Sequence, residues 1–206
     1  MTHLELVEAR WEGLRERVDA KVAQFVDSDR SAEVRLLAQA AQAGNTTKRV
    51  HWLRKAADVA TKPVMAVAAC RKGCAHCCHI TVAISRSEAQ VIAKETGRKL
   101  NPRAGAINMG SLDQIQDPQQ HLDSLAFGSP CPFLVDDQCS IYEVRPLACR
   151  LQVNLDEDDL LCQLVEDHKP MVPYLNLTHH HAAAAALLGE HQAYDDIRQW
   201  FASTAR

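Results

Sequence analysis

Two dense blocks of cysteine restrict what this chain can fold into more than any other feature. Seven of its eight cysteines fall in them. The first block is Cys70-Arg-Lys-Gly-Cys74-Ala-His-Cys77-Cys78. The second is Cys131-Pro-Phe-Leu-Val-Asp-Asp-Gln-Cys139, running on through Tyr142, Arg145 and Pro146 to Cys149-Arg150. Thiolates this close repel one another unless a cation sits among them. The simplest physical reading is a metal or iron–sulfur site that draws the two blocks together.

Cys74 and Cys77 have the Cys-x-x-Cys spacing that lets two sulfurs meet one metal across a tight turn. Cys70 lies one helical turn before Cys74. Cys78 diverges from its neighbour Cys77, so it serves a second metal or engages from the opposite side. Seven or eight thiols divide into two four-ligand sites, or into a cluster plus a mononuclear site. Zinc and iron both suit thiolate, and the number of converging thiols tilts the reading toward iron. The candidate metal ligands are Cys70, Cys74, Cys77, Cys78, Cys131, Cys139 and Cys149, with an iron–sulfur cluster or zinc/iron ions as cofactor. Cys162, His76, His79, Asp136 and Asp137 are further conceivable donors. His179-His180-His181 reads as a surface triplet, with metal binding only a minor alternative. His168 and His191 carry no signal.

Bulk properties exclude several classes. Lys and Arg number 23 against 26 Asp and Glu, for a net charge of -3, which argues against a basic nucleic-acid-binding face. The N-terminus lacks the basic start and apolar run of a signal peptide. The longest apolar run, Ala182 to Leu188, is too short to span a bilayer. A cytoplasmic protein is expected, with a protein or redox partner and neither nucleic acid nor membrane. In a reducing compartment clustered cysteines are ligands or redox groups more often than disulfides. Structural disulfides are the alternative, and adjacent Cys77 and Cys78 make an awkward framework for them.

The fold class predicted is mainly α, a helical bundle with a small irregular, β-hairpin-containing, cysteine-rich metal-binding core. At 47% hydrophobic residues a packed core needs no disulfide staples. Leu4, Val7, Trp11, Leu14, Val18, Val22 and Phe25 predict one long amphipathic helix over 3–27. Helices are expected at about 32–43 and from Thr46 to about Cys70, the latter kinked or broken at Pro63. Residues 79–85 alternate and read as extended. Ser85 and Glu88 form a capping box that opens a helix ending near Gly97. Residues 98–110 read as loop and 111–126 as helix, with Pro118 interrupting or opening it. Asp136-Asp137 is expected to turn a hairpin, and Pro146 to start a short helix bearing Cys149 and Arg150. From Pro173 to Trp200 the chain reads as mostly helical, divided at Gly189. Three regions follow: an N-terminal helical segment, 1–66; the cysteine-cluster region, 67–168; and C-terminal helices, 169–206, packing on the same domain.

The succession C-x-x-x-C-x-x-C-C, C-P-F-L and C-x-I-Y-x-x-R-P-x-x-C-R resembles the CxxCxxCC family of zinc- or iron-chelating (YkgJ-like) cysteine-cluster proteins. On this resemblance the seven clustered cysteines take the family's cysteine positions, and Tyr142, Arg145, Pro146 and Arg150 match its later segment. One departure is that three residues, not two, separate Cys70 from Cys74. A similar cluster in flagellin lysine methylases implies, by analogy, a redox or modification role.

The leading function is thus a metal-binding protein with a structural or electron-transfer centre. The alternative is an iron-dependent modification enzyme using the same cluster. A third reading has the N-terminal helices as a partner-binding module. Cys70-x-x-x-Cys74-x-x-Cys77 is also the radical S-adenosylmethionine spacing. Helix precedes it here and no alternating strand–helix pattern follows, against a barrel of that type. No Gly-x-Ser-x-Gly elbow or phosphate-cradling glycine loop is present.

Overall fold

The computed structural model describes residues 1–105, 107–108, 117–164, 171–189 and 191–201. It is mainly helical with two small antiparallel sheets. The helix expected over 3–27 is two helices, α1 (His3–Trp11) and α2 (Leu14–Ala23). Thr2 and Glu5 close a capping box on α1. Gly13 then adopts a left-handed conformation, φ 66°, which breaks the helix at little steric cost. Arg17 fastens the corner by donating to the carbonyls of Glu12 and Arg10.

α3 (Ser31–Gln42) and α4 (Thr46–Thr61) form a helical hairpin across Gly44-Asn45. Asn45 caps α4 through Lys48 N at 2.9 Å. The helix stops at Thr61, short of the expected Cys70, because Pro63 cannot donate into it; a single 3-10 turn, Val64–Ala66, follows.

Strand β1 (Ala83–Ser85) leads into α5 (Arg86–Thr96), whose first turn carries the expected Ser85/Glu88 box and whose end is Gly97, φ 72°. Glu88 also accepts from Leu147 N at 2.9 Å, so this cap positions the helix that starts at Leu147. Among its described residues, the loop after α5 contains a short strand, β2 (Ile107–Asn108). Pro118 opens α6 (Pro118–Ala126) at its first turn; residues 111–116 of the expected helix lie outside the described residues, as does His168. β3 (Leu134–Val135) and β4 (Gln138–Cys139) make the expected hairpin, with Asp136 and Asp137 at φ 47° and 55° as a primed turn requires. α7 (Leu147–Leu151) follows Pro146.

The C-terminal region departs from the expected pair of helices. After α8 (Thr178–Leu188) comes strand β5 (Ala193–Asp196) and then one turn of helix, α9 (Ile197–Trp200). β5 is the middle strand of a three-stranded sheet ordered β1-β5-β2, pairing Ile84 with Asp195 and Ile107 with Tyr194. Ala-Tyr-Asp-Asp has no apolar alternation to announce a strand; its neighbours impose the extended state.

Two core clusters flank the cysteines. Ala40, Val50, Leu53 and Ala57 pack with Val91, Leu147, Leu151 and Leu188. Ile84, Ile92, Phe133, Ile141, Trp200 and Phe201 form the second, against which Cys131, Cys139 and Cys149 pack. No helix among the described residues is long and apolar enough to cross a membrane.

Candidate metal centre

Cys70 sits in the loop beyond α4, just after Ala69 N has bonded to Asn154 O at 3.0 Å. Cys74 follows the turn at Gly73, φ 90°. Cys77 and Cys78 lie in a 3-10 turn, His76–His79. The second block is joined to the first through the backbone: Cys131 N donates to Cys78 O at 2.7 Å. Cys139 closes the β3–β4 hairpin and Cys149 lies in α7. All eight cysteines are free thiols. All eight, Cys162 included, line one cavity of about 80 Å³, room for one or more ions.

Cys162 was outside the sequence motif and had no spacing argument. Asn154, 1% exposed, brings it in. Its backbone N–H donates to Cys70 Sγ and its side-chain amide to Cys162 Sγ, both at 3.2 Å. A second residue missed in the sequence is Arg198 on α9. It donates to Cys78 O at 2.8 Å and to Ser129 O at 2.9 Å, and pairs with buried Asp196 at 3.0 Å. Neither residue carries a sequence signal, because Asn154 works by joining Cys162 to Cys70, which lies 84 positions upstream of the asparagine, and Arg198 reaches Cys78 from 120 positions away.

The electrostatics define what the cavity can accept. A hydrogen bond from the Cys78 thiol lowers Cys77 to about 7 and raises Cys78. Burial pushes Cys131 up to about 11 and Cys162 up to about 12, and it raises Cys149 well above the ordinary thiol range. Neighbouring thiols add to each of these increases, so the sulfurs cannot all ionise together without a compensating cation. Arg145 supplies one fixed charge. It lies over the Tyr142 ring at 4.0 Å, lines the cavity, and lowers Cys77. Its Nε is buried with no hydrogen-bond partner. Soft sulfur donors with a deficit of positive charge fit thiolate-bound zinc or iron, and a bound cation holds such thiols deprotonated.

The other expected donors separate. His76 Nε2 lies 3.0 Å from Asp159 Oδ2 at the cavity edge, where Cys74, His76 and Asp159 place donor atoms within 4.8 Å of one another. His79 Nδ1 faces the Ala75 carbonyl at 3.3 Å, away from the cavity lining. Asp136 and Asp137 occupy the exposed hairpin turn and do not line the cavity, which removes them as donors to it. Arg150 is a structural tie: it meets Asp58 at 2.6 Å and the carbonyls of Arg145 and Glu143. Arg71 and Lys72 are exposed, and Arg71 reaches Asp159 at 3.7 Å.

No curated protein and no solved structure matches the chain. Residues 69–168 match the CxxCxxCC family model, described as a putative zinc- or iron-chelating domain. The stretch that supplies every thiol of the cavity is the stretch that matches this family model.

Proposed function

We propose that the cavity holds a thiolate-bound metal centre with iron as its occupant, an iron–sulfur cluster that passes electrons to a redox partner protein. One observation carries this reading: four separate stretches, 70–78, 131–139, Cys149 and Cys162, turn eight thiols toward one small cavity. Cys70, Cys74, Cys77, Cys78, Cys131, Cys139 and Cys149 are the ligand set, with Cys162 as the eighth. Bound there, the centre supplies one-electron chemistry and cross-links the segments. Arg145 offsets the negative charge of the thiolates, and Asn154 and Arg198 orient the sulfur-bearing loops. Eight free thiols need a reducing compartment, which favours the cytoplasm.

A second reading, an iron-dependent modification enzyme, draws on one feature. An open groove of about 450 Å³ shares His76, Cys77, Cys162 and Tyr174 with the cysteine cavity, giving a substrate room beside the metal. Anaerobic purification with elemental analysis and an absorption spectrum tests the main proposal. Iron, acid-labile sulfide and broad visible absorbance are expected. A colourless protein carrying zinc alone overturns the electron-transfer role and leaves a structural centre.

A further inference from the structure

The three consecutive histidines, read from sequence as a surface triplet, are not equivalent. His180 is 0% exposed at the start of α8, and Glu33, in the first turn of α3, is 3% exposed. Glu33 Oε1 lies 2.8 Å from His179 Nε2 and 3.1 Å from His180 Nε2. The three donor atoms all lie within 4.8 Å of one another. None of the three residues lines the cysteine cavity.

Two features point to a missing ligand here. Neither ring nitrogen of buried His180 makes an aligned hydrogen bond, although Nε2 lies 3.1 Å from the Glu33 carboxylate. Burying an imidazole in that state is costly, and a metal ion on Nε2 removes the share of the cost that falls on that nitrogen. The second feature is Arg30. Its Nη2 sits 2.8 Å from both Glu33 Oε1 and His179 Nε2, and its Nε sits 2.9 Å from Glu33 Oε2. The guanidinium thus occupies the place where the donors converge. It precedes α3 on a side chain that is 57% exposed, so it can swing into solvent.

We propose that Glu33, His179 and His180 form a second metal site, for a divalent ion of the zinc class, with Arg30 as the exchangeable cation of the metal-free state. Two imidazoles and one carboxylate form the donor set of zinc sites that keep an open position. The donors come from the first turns of two different helices, α3 and α8, so the ion would clamp one to the other.

Titrating the purified full chain, with its thiols already loaded, with Co²⁺ tests this. The expected result is one added equivalent with weak visible d–d bands and no added sulfur charge-transfer absorption. Replacing exposed His179 with Ala should lower that affinity at least tenfold, and Glu33→Gln should do the same. Arg30→Ala should tighten binding severalfold by removing the competing charge, and Asp137→Asn, in the exposed β3–β4 turn, should leave it unchanged. Zn²⁺ should displace the cobalt. The proposal is overturned if wild type takes up no added cobalt, if uptake is the same in His179→Ala, or if the added equivalent brings sulfur charge-transfer bands.

Discussion

Asn154 and Cys162 meet through a side-chain amide to sulfur hydrogen bond of 3.2 Å, while the same asparagine gives its backbone N–H to Cys70. One buried residue thereby fixes two sulfurs that lie 92 positions apart in the chain. Replacing Asn154 with Ala keeps the backbone bond and removes the amide. Metal affinity of the cysteine cavity should fall by about 10- to 100-fold, the usual cost of losing a residue that orients a ligand. Competition with a chelator of known affinity measures it, and an unchanged competition curve would remove Asn154 from the site.

Cys77→Ser, Cys139→Ser and Cys162→Ser, made separately, should each lower the metal-to-protein ratio. The three thiols come from different stretches and face one cavity. Full occupancy in any one variant takes that cysteine out of the ligand set.

In metal-free protein, one thiolate should be present near neutral pH. The hydrogen bond from Cys78 holds Cys77 at about 7, while burial keeps Cys131 and Cys162 protonated until far more alkaline pH. Thiolate absorbance followed against pH should show a first step near 7 that disappears in Cys77→Ser. A first step above pH 8.5, the free-thiol value, contradicts this.

Arg150→Ala should destabilise the fold. The guanidinium is 8% exposed and satisfies Asp58 as well as two carbonyls of the segment leading into α7. Leaving these carbonyls unpaired costs about 2–3 kcal/mol, or roughly 5–10 °C in melting temperature for a chain of this size. Loss of metal in the same variant would follow from movement of Cys149. A melting temperature equal to wild type would refute the tie.

Acid should weaken the α3–α8 contact in metal-free protein. Hydrogen bonds from Arg30 and then from His179 hold the Glu33 carboxyl at about 2, against its ordinary 4.5. Because the folded pKa is the lower one, the stabilisation is complete above about 4.5 and disappears as pH falls from there through about 2. With Arg30 largely exposed, it amounts to roughly 2 kcal/mol. Melting temperature against pH should fall less steeply in this window for Glu33→Gln than for wild type. Parallel curves would exclude Glu33 as the group responsible.

Local signals were legible in the sequence because their causes are local. Ser85 and Glu88 lie three residues apart and bond to each other, and Asp136-Asp137 adopts a left-handed turn that aspartate tolerates better than most residues. The gathering of the clustered cysteines was legible because thiolates this dense in sequence repel one another unless they share a cation. Gly13 escaped because the apolar spacing over 3–27 is hardly altered by one left-handed residue. β5 escaped because its partners, Ala83–Ser85 and Ile107–Asn108, lie far upstream. Asn154 and Arg198 are single polar residues whose work is visible only once the chain has folded back on itself. His180 escaped for the converse reason: it belongs to a polar triplet, yet it is sealed beneath α3.

Arg198 clasps the carbonyl of Cys78 from 120 residues downstream. During synthesis the ribosome delivers the first cysteine block long before this residue emerges. The early thiols must therefore wait, unclasped and open to oxidants or stray metals, until α9 arrives. Any cellular factor that loads the cavity has its widest access in that interval.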